Sequence, residues 1–185
     1  MENGRVILSG KRFLLTIDRL CHQIIENHGA FSNSCIIGVQ PRGVRFADRI
    51  HKRLIEITGS DKIDFGVLDV TFYRDDFRRR DTPLSAQKTE INFLVEDRNV
   101  LLIDDVLYSG RTIRAALDAL QHYGRPQKVE LVTLVDRRFN RHLPIQADYL
   151  GISVDAVDEA LVKVEWKEYE EVDRILFFPK SKSSQ

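Results

Sequence analysis

Two adjacent carboxylates, Asp104 and Asp105, are separated by only Val106, Leu107 and Tyr108 from the turn Ser109-Gly110-Arg111-Thr112. Ionised carboxylates accept hydrogen bonds and donate none, so they suit ribose hydroxyls or a hydrated magnesium ion and repel a phosphate. The turn has the opposite character. Gly110 permits a positive φ, so backbone N–H groups from Tyr108 to Thr112 can converge on one anion. The Ser109 and Thr112 hydroxyls can cap a helix or donate to phosphate oxygens, and Arg111 adds a full positive charge. Either half alone is compatible with ordinary turn chemistry. Together they ask for a sugar phosphate.

The flanking residues say how such a site is held. Val100, Leu101, Leu102 and Ile103 read as a strand buried on both faces, and Ile113, Ala116, Leu117 and Leu120 recur at helical spacing. The stretch from Asp104 to Thr112 is therefore expected where a strand turns into a helix. In an open parallel sheet that is the carboxyl edge, where ligands of doubly wound folds collect. No G-x-x-x-x-G-K-[ST] is present, and no G-x-G-x-x-G follows a strand, which argues against a nucleoside triphosphatase or a dinucleotide enzyme.

Strand-like and helix-like periods alternate along the chain, which predicts an α/β fold with a mainly parallel central sheet flanked by helices. Helices are predicted over Lys11 to Asn27 and Val44 to Ile57, and strands over Cys35 to Val39, Asp64 to Tyr73, from Val100, over Lys128 to Val135 and over Tyr149 to Ser153. Leu161 to Trp166 and Arg174 to Phe178 read as short strands with no helix between them, forming a small hood with Arg5 to Leu8. The expected organisation is a single domain over 1–178, its hood drawn from about 1–10 and 150–178, with a disordered tail at 179–185.

Composition adds bounds. The chain has 185 residues, 43% hydrophobic and 30% charged, with formal net charge +0, so no general attraction to nucleic acid or an anionic membrane is expected. Its 2 cysteines argue against a disulfide framework or a zinc site and suit buried thiols in a reducing compartment. No apolar run approaches the ~20 residues that span a bilayer, and Met1 to Gly10 lacks a signal-peptide core, so a cytoplasmic protein is expected.

Two further segments carry chemistry. Gln40-Pro41-Arg42-Gly43 follows the first predicted strand of the central sheet and should share an edge with the carboxylates; Arg42 has the planar fork that suits pyrophosphate, and Gly43 allows close backbone approach. Tyr73-Arg74-Asp75-Asp76 opens the long polar stretch Arg74 to Asn92, with Arg78, Arg79 and Arg80 following. A solvated charge run is one reading of that stretch. A lid over an anionic leaving group is the other, with Arg74 making the contact and Asp75 or Asp76 pairing with an arginine. Arg138-Phe-Asn-Arg-His142 reads as a surface turn.

The run V-L-L-I-D-D-V-L-Y-S-G-R-T resembles the phosphoribosyl pyrophosphate (PRPP) motif of the type I phosphoribosyltransferases. The order of Gln40 to Gly43, Tyr73 to Asp76, that motif, Leu134-Val-Asp-Arg137 and Leu143 to Gly151 resembles the pyrimidine-operon regulators that are also uracil phosphoribosyltransferases, from Val6 to about Phe178. The resemblance implies synthesis of UMP and pyrophosphate from uracil and PRPP, with Mg2+ carried by PRPP near Asp104 and Asp105 rather than held by dedicated ligands. It implies PRPP binding by Val100, Leu101, Leu102, Ile103, Asp104, Asp105, Val106, Leu107, Tyr108, Ser109, Gly110, Arg111 and Thr112. Pro41, Arg42 and Gly43 would meet pyrophosphate, and Asp136, Arg137 and Val154 the base. Asp104, Asp105, Arg42 and Arg74 would carry catalysis. In the family the turn more often reads Thr-Arg-Gly, so Pro41 removes a backbone N–H and a hydroxyl. The family's regulatory members respond to uridine nucleotides such as UMP and UTP and bind pyrimidine leader mRNA, here through Arg19, His22 and Arg141. Asp18, where a threonine is typical, opposes that. A homodimer or larger homo-oligomer is implied as well. A non-enzymatic RNA-binding attenuation protein and a purine phosphoribosyltransferase stand as alternatives.

Overall fold

Residue alternation along the central strands sends apolar side chains to both faces of one sheet, and the helices that cover those faces fix the architecture. The computed structural model describes residues 4–75, 86–156 and 160–179. In chain order the elements are β1 (Arg5–Ser9), α1 (Gly10–His28), β2 (Ser34–Val39), α2 (Gly43–Thr58), β3 (Asp64–Leu68), a 3-10 turn (Thr71–Tyr73), β4 (Asn99–Leu107), α3 (Arg111–Leu120), a 3-10 turn (Gln121–Tyr123), β5 (Lys128–Arg138), β6 (Tyr149–Asp155), β7 (Leu161–Glu165) and β8 (Arg174–Phe178). Five strands form a parallel sheet in the order β3-β2-β4-β5-β6. The α/β expectation therefore holds.

Ile36, Leu101, Ile103 and Val132 pack with α1 and α2 on one face, while Cys35, Ile37, Val100 and Leu102 pack with Ile113, Ala116 and Leu120 of α3 on the other. Gly38 lies inside β2, where a Cβ would sit 2.8 Å from the Ala47 Cβ; its role is close packing of α2 rather than a turn. Both cysteines are buried, and burial pushes the Cys21 and Cys35 thiols up to about 12 and about 11, which leaves them inert.

The hood is a separate antiparallel sheet, β1-β8-β7, closed against the α1/α2 face. Trp166, at the end of β7, is 1% exposed and lies between Phe13, edge-on at 5.5 Å, and Phe46, stacked at 6.0 Å. Arg49 of α2 straps the following segment by donating to Glu168 and Asp173.

At the amino edge of the parallel sheet, a closed polar network joins α1 to three strands. His28 meets Ser34 Oγ at 2.8 Å through Nδ1 and Glu130 Oε2 at 3.1 Å through Nε2, Asn27 donates to the Tyr149 hydroxyl at 2.9 Å, and Lys128 reaches Glu130 at 2.8 Å. Burial lowers the His28 pKa even though Glu130 opposes that shift.

The strand expected over Asp64 to Tyr73 stops at Leu68. Asp69 turns the chain by accepting the Thr71 N–H at 3.1 Å, and the 3-10 turn follows. Asp76, Arg78, Arg79, Arg80 and nearly all of the expected tail at 179–185 lie outside the described residues. Among the described residues no helix is long and apolar enough to cross a membrane.

Trp166→Ala removes the buried ring that joins hood to helices and should cost about 3–5 kcal/mol, read as a lowered urea midpoint.

Candidate active site at the carboxyl edge of the sheet

From adjacent β2 and β4 the chain departs in opposite directions, to β3 on one side and β5 on the other, so the topological switch point lies between them. Loops diverge there and leave a crevice outside the strand ends. Gln40 to Gly43 leaves β2 and Tyr108 to Arg111 leaves β4, so both candidate loops border this crevice.

The approach between the two loops is tight. A Cβ added at Gly43 would lie 2.6 Å from the Ile103 carbonyl oxygen and 2.9 Å from Asp104 Oδ1. Only glycine lets the start of α2 rest on β4 here. Arg42 is the exposed residue capping α2, its side chain free of the packing that pins Gly43. The Gln40–Pro41 bond is cis, and Gln40 is fixed by its N–H to Leu68 O at 2.9 Å and its side-chain amide to Lys88 O at 2.8 Å.

The carboxylates differ from expectation in one respect: β4 runs on to Leu107, so Asp104 and Asp105 belong to the strand rather than to the turn. They are 7% and 4% exposed. Burial holds both carboxyls well above the usual range; for Asp104 the neighbouring Asp105 raises it further, while the Asp105 N–H at 3.0 Å and the charges of Arg74 and Arg42 pull it back. For Asp105 the main counterweight is Arg42. Two buried acids held above their ordinary range at the mouth of a crevice are the arrangement in which perturbed groups cluster at functional sites.

Beyond the acids, Gly110 takes φ 87 and is itself the cap of α3, its carbonyl accepting the Arg114 N–H at 3.0 Å. The expected side-chain cap is absent. Ser109 Oγ accepts the Arg111 N–H at 3.4 Å, and Thr112 Oγ1 accepts from the Arg74 guanidinium at 3.1 Å. A cavity of about 360 Å³ is lined by Asp104, residues 106–113, Arg74 and His142. Within that lining Arg111 pairs with Asp75, which is the arginine pairing foreseen for that acid.

The 138–142 segment is the surface turn its sequence suggested, with Phe139 72% exposed, but it is also tied to the loop after β4. His142 and Leu143 both donate backbone N–H groups to the Ser109 carbonyl, at 3.0 and 3.2 Å, and Arg141 donates to the Tyr108 carbonyl and pairs with Asp136. Sequence reasoning missed His142 as a cavity residue because backbone pairing leaves no side-chain signal; its basic type beside a phosphate loop was the only hint. Arg141, expected on an RNA face, is committed here to Tyr108 and Asp136.

At the end of β5, Arg137 is 6% exposed, stacks on the Tyr108 ring at 3.8 Å, and has its pKa lowered by burial. Its Nε is buried without a hydrogen-bond partner among the described residues. Val154 of β6 stands opposite Arg137 in the ladder. Of the three residues expected at the base, Arg137 and Val154 are thus neighbours, while Asp136, one residue back along β5, pairs with Arg141. Arg19 and His22 sit exposed on α1, with Arg19 bonded to the Leu150 and Gly151 carbonyls at 2.9 and 2.7 Å, and Asp18 is paired with Arg53 at 2.7 Å.

Two loops at one switch point, a buried acid pair and a glycine-capped helix match the known family that this chain fits: the phosphoribosyl transferase domain model matches residues 5–169. Curated relatives named Bifunctional protein PyrR are 43% identical in Desulfosudis oleivorans over 95% of this chain and 97% of that protein, and 41% identical in Deinococcus radiodurans over 93% of each. The chain belongs to the PyrR group of the phosphoribosyltransferases. A hypoxanthine phosphoribosyltransferase structure from Staphylococcus aureus aligns with TM-score 0.70 at 21% identity, covering 95% of this chain and 93% of that one. One from Trypanosoma cruzi aligns with TM-score 0.71 at 16% identity, covering 95% and 96%. These two share the phosphoribosyltransferase fold with the PyrR-type chain.

Two variants test this geometry. Gly43→Ala should lower kcat/KM for PRPP by about 100-fold through the clash with β4, at a stability cost of about 1–3 kcal/mol. Asp104→Asn should raise the Tm of the ligand-free protein at pH 8. An acid whose folded pKa is raised destabilises above its unfolded pKa, so the gain should shrink as pH falls toward 4, seen in thermal melts across pH.

Proposed function

We propose that this chain is a uracil phosphoribosyltransferase that forms UMP and pyrophosphate from uracil and PRPP. The observation that supports the reading is the junction of Gly43 and Asp104, which brings the turn after β2 and the loop after β4 to one crevice, where they suit pyrophosphate and ribose phosphate. Uracil N1 bonds to C1 of PRPP as the bond from C1 to the pyrophosphate oxygen breaks; the departing pyrophosphate takes the electron pair and the N1 proton passes to solvent. The transition state resembles an oxocarbenium ion, as in other displacements at an anomeric carbon.

The protein's work is alignment and charge. Asp104 and Asp105 accept the ribose hydroxyls, and their negative charge, once ionised, favours the positive ribose. Ser109 to Thr112 hold the 5′-phosphate on the start of α3, where the N–H groups and the dipole favour an anion. Arg42 and Arg74 stabilise the leaving pyrophosphate. Two carboxylates are too few for a dedicated cage, so Asp104 and Asp105 would meet a Mg2+ ion only as it arrives with PRPP. When bound, that ion neutralises charge on the leaving group. Asp136, Arg137 and Val154 form the base subsite, and the unsatisfied Arg137 Nε is the group there that most needs a polar partner.

A regulatory role in binding pyrimidine leader RNA, tuned by uridine nucleotides, belongs to the same proposal. It rests on exposed Arg19 and His22 of α1 and on Arg53, which offsets the repulsion that Asp18 would exert on phosphate. The homodimer or larger assembly is proposed on resemblance alone.

Incubation with PRPP, Mg2+ and uracil should yield UMP, with hypoxanthine and orotate giving little product; turnover of a purine alone would sink the assignment. Retention of the leader transcript should weaken with salt and strengthen with UMP, and its absence at low salt would leave the enzyme only.

A further inference from the structure

The loop after β5 is anchored too heavily for a passive surface turn. Arg138 donates to Asp155 at 2.6 Å, Asn140 donates to the Ala156 carbonyl at 3.0 Å, and Phe139 takes a positive φ of 77, a bend that turns the chain back toward the phosphate loop. Arg141 and the N–H groups of His142 and Leu143 then hold the carbonyls of Tyr108 and Ser109. Leu143 and Ile145 pack beside Gly110, within 3.3–3.4 Å of where a Cβ would stand. The product of these contacts is one placement: the His142 imidazole on the wall of the phosphate cavity, with Nδ1 accepting from Arg111 Nε at 3.4 Å.

Neutral imidazole with Nδ1 as acceptor must carry its proton on Nε2, which makes it a donor on the cavity wall. Protonated, it becomes a second cation beside Arg111, a pairing that costs free energy unless an anion joins them. The charged groups around it are Arg111 of α3, Arg74 and Asp75 after the 3-10 turn, Asp104 of β4, and Arg141 and Asp136 at the end of β5. Among the described residues Asp75 supplies the anion to Arg111, through their ion pair, and a phosphate dianion on the α3 start would compete for that guanidinium.

We propose that His142 is a phosphate-binding residue of this chain, which takes up a proton from solvent and, with Arg111, clamps the 5′-phosphate of PRPP as Asp75 is displaced. This rests on the PRPP reading of the site. It extends that reading with a residue that the family resemblance does not assign to the site. No bond between heavy atoms changes; Nδ1 gains an N–H bond to a proton supplied by hydronium or buffer acid in solvent, and Arg111 exchanges a carboxylate for a phosphate. Binding of PRPP is thereby linked to proton uptake.

The test compares wild type, His142→Ala and His142→Arg in steady-state turnover of PRPP with uracil from pH 6 to pH 8. His142→Ala should raise KM for PRPP about five- to tenfold at pH 6, with the ratio to wild type shrinking toward one by pH 8. KM for uracil and kcat should move less than about twofold. His142→Arg should restore the low KM and remove the pH dependence of the ratio. Taking the ratio cancels the titration of the phosphate itself. The proposal is overturned if His142→Ala matches wild type at every pH, or if KM for both substrates rises together with a drop in Tm and no pH trend, since that describes a merely structural loop. If wild type neither binds PRPP nor forms nucleotide from any base, it is the proposed function that fails.

Discussion

Everything at the carboxyl edge depends on one steric concession, the absence of a side chain at Gly43. The first turn of α2 rests directly on the β4 backbone, and the loops of two neighbouring parallel strands are thereby drawn to within reach of a single ligand. A methyl group at that point would separate them by more than the few tenths of an ångström a packed interior tolerates. The switch-point topology creates a crevice in any doubly wound sheet. The glycine makes it narrow enough to grip a sugar carrying two phosphate groups.

The second dependence is electrostatic. Asp104 and Asp105 are buried side by side between the apolar runs Val100–Ile103 and Val106–Leu107 of β4, so the folded chain holds them at a cost. Arg42 and Arg74 reduce that cost from the crevice side without removing it. An arrangement of this kind is pre-organised for positive charge arriving from outside, whether on a metal ion or on a reacting ribose, and the strain is relieved only when the ligand is present.

Much of this was legible in the residues. Periodicity located α1, α2 and most strands to within a few residues, and the acid–glycine–arginine succession located the site. What stayed hidden was set by tertiary contacts. The extension of β4 through Asp104 and Asp105 was unreadable because carboxylates resemble turn residues until β5, which goes on pairing with the strand beyond the last β2 partner at Ile103, is in place. The end of β3 at Leu68 was decided by the Asp69 turn, not by any loss of apolar character in Val70, Phe72 or Tyr73. Segment 138–142 is the surface turn expected, and only its grip on Ser109 was unreadable, because that grip is made by backbone N–H groups, which every residue but proline possesses.

The closed polar network of His28, Ser34, Glu130 and Tyr149 at the amino edge gains a meaning by contrast with the open groups at the other edge. One end of the sheet has settled its polar debts internally; the other leaves Arg137 and the paired acids waiting on a visitor. Genetic variation should therefore fall into two kinds along the same strands. Changes near the amino ends deplete the amount of protein a cell maintains, whereas changes near the carboxyl ends leave its abundance intact and silence it.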